Sequence, residues 1–169
     1  LQRGYAVNGT LRDKDAPEKA CYLTALPGAE KLSLFSAEMS DEASFVAPLA
    51  GADGVFIACL IPTYKGSDGT PAKEMDDARG YAEIIMPTVD GCLNILRAAY
   101  QQGVRTAVIC SSTSSTNPVP PVSVKNEVEH WSDADEQCRE KKYTSATKTI
   151  MERAAIEFCA EHAMRLSII

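Results

Sequence analysis

Short apolar runs alternate along this chain with longer stretches whose apolar residues recur at helical spacing. Residues 4–12 (GYAVNGTLR) predict a strand, and 17–26 a helix entered through Asp15 and Pro17. Residues 31–38 (KLSLFSAE) alternate apolar and polar as a half-buried strand does. Ser40, Asp41 and Glu42 then open a short helix through Phe45 and Leu49, with Gly51 near its end. Residues 54–61 (GVFIACLI) form a near-continuous apolar run, which predicts a strand covered on both faces. The polar, Gly-containing stretch 65–79 reads as a loop. In 82–102 the residues Ile84, Ile85, Val89, Leu93 and Leu96 fall on one helical face, and Gly103 ends the helix. A second buried strand follows at 105–112, then a Pro-rich loop at 117–122, a helix at 145–162, and a last strand at 165–169.

Strand and helix alternating in this way, with two-sided apolar strands, predict an α/β fold on a parallel sheet. Residues 1–4 (LQRG) resemble the end of a helix capped by Gly4, and 165–169 the opening of a strand. The chain therefore reads as one partial domain, 1–169, taken from the interior of a larger fold.

Composition narrows the function classes. The 169 residues carry a net charge of −6, with 45% hydrophobic and 24% charged residues, which suits a folded globular domain and not a disordered one. No apolar stretch approaches the ~18 residues of a membrane span, and no signal-peptide pattern opens the chain. The acidic balance argues against non-specific nucleic-acid binding. Six scattered cysteines and only two histidines, His130 and His162, offer no metal-ligand spacing. The cysteines read as reduced, core-filling thiols of a cytosolic protein.

Several segments together resemble a known family. These are RGYAVNGTLRD, DGVFIACLIP, EIIMPTVDGCLNILRAAYQQGVRTAVICSSTSSTN, HWSDADEQCREKK and KTIMERAA. They resemble the extended short-chain dehydrogenase/reductases, within the superfamily of NAD-dependent epimerases and dehydratases. The closest branch is that of dihydroflavonol reductase and cinnamoyl-CoA reductase. The resemblance implies a Rossmann-type doubly wound parallel sheet lacking here its first strand and its GxxGxxG phosphate loop, with the substrate lobe absent. In the order 3-2-1-4-5-6 that strand would lie between those at 4–12 and 54–61.

The same resemblance implies where chemistry sits. After the second strand of a dinucleotide fold an arginine accommodates a ribose 2′-phosphate where an acid would bind the hydroxyl. Arg12, joined by Lys19, thus points to NADP, with NAD the other possibility. Glu38 and Met39 match the pair that contacts adenine, with Glu in place of the usual Asp. Ala58 and Cys59, at the carboxyl end of the fourth strand of the full fold, would line the ribose and nicotinamide path. Ser112 matches the catalytic serine that orients the substrate carbonyl, Asn117 a substrate contact, and Lys148 the catalytic lysine that also holds the nicotinamide ribose.

The catalytic tyrosine departs from the pattern. Tyr143 and Lys148 are five residues apart, where the family's YxxxK motif spaces them by four. At about 100° per residue, a spacing of four leaves two side chains ~40° apart, and a spacing of five ~140°. Thr144 holds the four-residue frame, with a hydroxyl too short and too weakly acidic to replace a phenol. Tyr143 is expected in extended backbone before a helix capped by Thr144, from where it would reach the site beside Lys148 and have its pKa lowered. The chemistry implied is NADPH-dependent reduction of a carbonyl on a small organic substrate, with no nucleic-acid or membrane partner. A non-catalytic dinucleotide sensor or scaffold, and a nucleotide-sugar epimerase or dehydratase, stand as alternatives.

Overall fold

The computed structural model describes residues 1–169 throughout. Its elements in order are β1 (Val7–Leu11), α1 (Pro17–Thr24), β2 (Leu32–Ser36), α2 (Val46–Leu49), β3 (Val55–Ile57), α3 (Asp77–Gly80), α4 (Met86–Gln101), β4 (Thr106–Ile109), α5 (Ala134–Arg139), α6 (Tyr143–Glu161) and β5 (Arg165–Ile168). Local chemistry explains several boundaries. Pro17 opens α1, where its missing N–H costs nothing. Asp76 caps α3 by accepting from the Arg79 N–H at 2.8 Å, and Asp133 caps α5 through the Glu136 N–H at 3.0 Å.

All strand pairs are parallel, as the two-sided apolar runs predict. They form two sheets, β1 with β2 and β3-β4-β5. The break falls between β1 and β3, where the doubly wound order has its first strand.

A core of 23 buried residues is built chiefly where α4 and α6 pack together and onto the three-stranded sheet, around Ile84, Leu96, Ile109 and Met151. Each such side chain contributes on the order of 1.5–3 kcal/mol by leaving water. The cluster begins at Phe45, and of the residues before it only Ala37 and Met39 pack against its margin.

Several sequence expectations are corrected. The run at 54–61 narrows to three strand residues covered on one face only: Ile57 is buried, while Phe56, pointing to the other face, is 78% exposed. Residues 1–4 need no correction: the Gly4 N–H donates to Leu1 O at 3.0 Å and Gly4 lies at φ +92°, the left-handed geometry of a capping glycine. The stretch 65–79 is more than a loop, since α3 begins at Asp77 and runs through a π turn, Tyr81–Ile85, into α4. Pro87 supplies the reason: it has no N–H to give Glu83, and the ladder shifts by one residue around it. Arg79 ties the preceding segment to this helix by donating to Asp68 Oδ1 and Glu83 Oε1, both at 2.6 Å. Finally, α6 starts at Tyr143 with Lys142 as its cap residue, so Tyr143 is helical and Thr144 caps nothing. The Lys142 carbonyl already accepts from the Ser145 and Ala146 N–H groups, at 2.9 and 3.0 Å.

Candidate functional site

Arg12, Glu38, Met39, Ala58, Cys59 and Ser112 each follow the carboxyl end of a strand by one to three residues. Those ends are where open α/β sheets hold ligands.

Arg12 extends from the end of β1 with its side chain 82% exposed, and its Nε stands 3.9 Å from Glu38 Oε1. So long and solvated a pair adds little stability and leaves the guanidinium open to another anion. Lys19 lies exposed in the first turn of α1 and makes no ion pair. Glu38 is fixed at its backbone, its N–H and carbonyl both bonded to the Ser44 hydroxyl at 3.1 and 3.2 Å. The Met39 carbonyl accepts from Asn94 Nδ2 at 2.8 Å, and its side chain lies on α4 at Gly91, where an added Cβ would stand 2.9 Å from Met39 Cβ. Gly91 therefore permits a close approach of α4 to the end of β2. An open guanidinium, a nearby acid and an apolar Met39 fit the adenosine end of a dinucleotide, and Ala58 and Cys59 stand exposed after β3. No GxxGxxG occurs among the 169 residues, so no residue here is assigned to the pyrophosphate.

Lys148 is 9% exposed and donates to the Leu60 carbonyl just beyond β3. Burial pulls its pKa down, while Glu152 opposes that fall. Cys92, Cys110 and Cys59 would oppose it in the same sense if ionised. Ser112 is exposed and caps a short 3-10 turn, Thr113–Ser115, by accepting from the Ser114 N–H at 3.2 Å. The turn is anchored from behind. Buried Ser132 donates to Ser114 O at 2.7 Å, and Gln137 Nε2 on α5 donates to the same carbonyl at 2.9 Å. Asn117 donates its N–H to Ser132 Oγ at 2.8 Å, while its side-chain oxygen accepts from Lys125. It lines a cavity of about 390 Å³ that also touches Lys125, Gln137, Lys142 and Ser145.

The structure does not bring Tyr143 to Lys148. The phenol is 1% exposed and donates to Asp77 Oδ1 at 2.8 Å, an oxygen that also accepts from Lys141 Nζ at 2.7 Å. Its ring fills the space over Gly80, where a Cβ would stand 2.5 Å from Cζ. Burial pushes the phenol's pKa up, against the pull of Lys141, so the expected lowering is corrected. The two side chains point apart, because Tyr143 opens the helix on the side facing α3 while Lys148 faces β3. Thr144 instead lines a cavity of about 220 Å³ with Tyr64, Lys73 and Lys141.

Three groups of the site lie outside the residues singled out from the sequence: Ser111, Glu152 and Asp77. Glu152 carried a signal, since it follows Lys148 by one helical turn inside KTIMERAA. Ser111 and Asp77 carried none, because long-range packing alone gives them partners.

Comparison with known proteins bears on these features together. The family described as NAD(P)H-binding matches residues 1–154. A dihydroflavonol 4-reductase of Hordeum vulgare is 36% identical over 170 residues, covering 97% of this chain and 45% of that protein. An anthocyanidin reductase of Vitis vinifera is 31% identical over 172 residues, covering 98% of this chain and 48% of that protein. Among solved structures, vestitone reductase from alfalfa superposes with a TM-score of 0.67 at 29% identity, covering 99% of this chain and 49% of that one. The chain thus spans about half the length of these relatives.

Proposed function

This chain belongs to the NAD(P)H-binding family, among the extended short-chain dehydrogenase/reductases of the dihydroflavonol reductase branch, and on that premise we propose that the protein reduces a carbonyl on a small organic substrate with NADPH. The reaction would interconvert a carbonyl and a CH–OH group. Its substrate class is suggested by the flavonoid reductases to which the chain is similar.

The observation that carries this reading is the way the end of β4 is joined to α6: Ser112 stands exposed there, while the adjacent Ser111 is bonded to Glu152, one turn from Lys148. A bound nicotinamide supplies the hydride. Ser112 holds the carbonyl oxygen by donating its hydroxyl proton. Lys148 presents an ammonium to the nicotinamide ribose, and its charge favours the developing alkoxide. Arg12 and Lys19 take the 2′-phosphate, which selects NADPH over NADH. Glu38 and Met39 meet the adenine, Ala58 and Cys59 line the path to the nicotinamide, and Asn117 touches the substrate. For Tyr143 to deliver the proton to the alkoxide, its hydroxyl would have to leave Asp77 and its ring leave Gly80, with the first turn of α6 unwound toward Lys148.

That proton step favours a second reading. The phenol is held by Asp77 and packed on Gly80, as suits a protein that binds the dinucleotide without turning it over. The experiment is NADPH titration and NADPH oxidation, with a panel of dihydroflavonols and simple aldehydes, in the full-length protein and its Tyr143→Phe variant. Reduction by the parent and a loss of ~10²–10⁴-fold in the variant, with NADPH affinity kept, supports the reductase. NADPH binding with no turnover of any carbonyl supports the binder.

A further inference from the structure

Glu152 is a buried acid to which the function above gives no task. It is 5% exposed, lies on α6 four residues beyond Lys148, and accepts a hydrogen bond from the Ser111 hydroxyl at the end of β4. On a helix that spacing places Lys148 and Glu152 on one face. Buried carboxylates are costly unless hydrogen-bonded or near a countercharge, and Glu152 accepts from Ser111 and lies one helical turn from Lys148, with no ion pair between the two within 4 Å.

We propose that Glu152 is a positioning residue: its carboxylate clamps the end of β4 to α6 through Ser111, which sets Ser112 in place, and from one helical turn away it serves as the countercharge of Lys148. The role that the positioning serves rests on the reductase reading; the clamp itself does not. The titratable groups whose charge would act on Lys148 come from several of the elements around it. They are Glu152 on α6, Cys92 on α4, Cys59 after β3 and Cys110 after β4, with the Leu60 carbonyl as hydrogen-bond acceptor. Burial raises the thiols of Cys59 and Cys92, the latter to about 12, so neither offers Lys148 a negative charge near neutrality. Glu152 is the carboxylate of the set. Its charge offsets the burial that favours the neutral amine.

The test uses the full-length protein with isotope-labelled lysine, the Lys148 signal being assigned by its loss in Lys148→Arg. Glu152→Gln keeps the shape and can still accept from Ser111, but removes the charge. The Lys148 titration midpoint then falls by at least about one pH unit. Glu152→Asp keeps the charge one methylene further back. It leaves the midpoint near the parent's while speeding amide exchange at Ser111 and Ser115. An unmoved midpoint in Glu152→Gln overturns the proposal. If that variant does not fold, Ser111→Ala decides, because it deletes only a hydroxyl: faster exchange at Ser111 and Ser115 supports the clamp, and unchanged protection overturns it. Neither readout needs turnover. A protein that shows the midpoint shift and the faster exchange yet reduces no carbonyl loses the reductase reading and keeps the proposal for Glu152; an active reductase with both unmoved does the reverse.

Discussion

The Tyr143 hydroxyl and the Lys141 ammonium both donate to Oδ1 of Asp77, at 2.8 and 2.7 Å, so one carboxylate oxygen latches the start of α6 to the start of α3. Tyr143→Phe keeps the ring over Gly80 and removes one donor. Asp77 is 61% exposed in its side chain and keeps Lys141, so the loss falls below the range for a bond to a charged group and near that of an ordinary hydrogen bond, about 1 kcal/mol. Urea unfolding of the parent and variant measures it.

Gly80 is the other half of that latch. An added Cβ would stand 2.5–2.7 Å from three atoms of the Tyr143 ring, and the ring has nowhere to withdraw because it is 1% exposed. Gly80→Ala is expected to cost about 1–3 kcal/mol by overpacking. The penalty should shrink when Tyr143→Leu is introduced beside it, and a double-mutant cycle reads the coupling.

Acid should release the latch. Lys141 first, and Tyr143 second, hold Asp77 below the usual carboxylate pKa. A carboxylate depressed in the folded state contributes stability that is complete above its unfolded value of ~3.9 and is lost as pH falls through the lower folded value. The gap in thermal midpoint between the parent and Asp77→Asn is therefore constant near neutrality and closes at acid pH. A gap that persists there would place the effect of Asp77 in its shape and not its charge.

Cofactor choice is tested at Arg12, whose guanidinium is held only by a 3.9 Å contact to Glu38. In the full-length protein Arg12→Ala should weaken NADPH by ~1.5–3 kcal/mol, the worth of a hydrogen bond to a charged group, and leave NADH nearly unchanged. Isothermal titration with both cofactors separates this outcome from an equal loss, which would make the arginine structural.

The parallel pairing and the order of elements were legible because apolar strands bounded by helical periodicity carry their own signal. The helix over 82–102 was legible for the same reason, yet its earlier start at Asp77 and the π turn around Pro87 depend on where one missing N–H moves the ladder. Tyr143 shows the limit most clearly. Its five-residue offset from Lys148 could be seen in the sequence, but its destination is set by Asp77 and Gly80, more than sixty residues earlier. Glu152 sits inside a quoted motif and becomes informative only when β4 delivers Ser111 to it.

The separation of β1 and β2 from the other strands divides the molecule's resistance to opening. Residues 1–44 place nothing in the main buried cluster, and they are attached to it by contacts such as Asn8 Nδ2 to the Pro48 carbonyl and Asn94 Nδ2 to the Met39 carbonyl, both 2.8 Å. That segment is expected to behave as a low-energy foldon, losing amide protection well before α4 and α6 do. On the cofactor contacts proposed for Arg12, Lys19 and Glu38, a bound dinucleotide would act as a strap across two units of unequal rigidity. Ligand would then slow hydrogen exchange most in the segment that the core supports least.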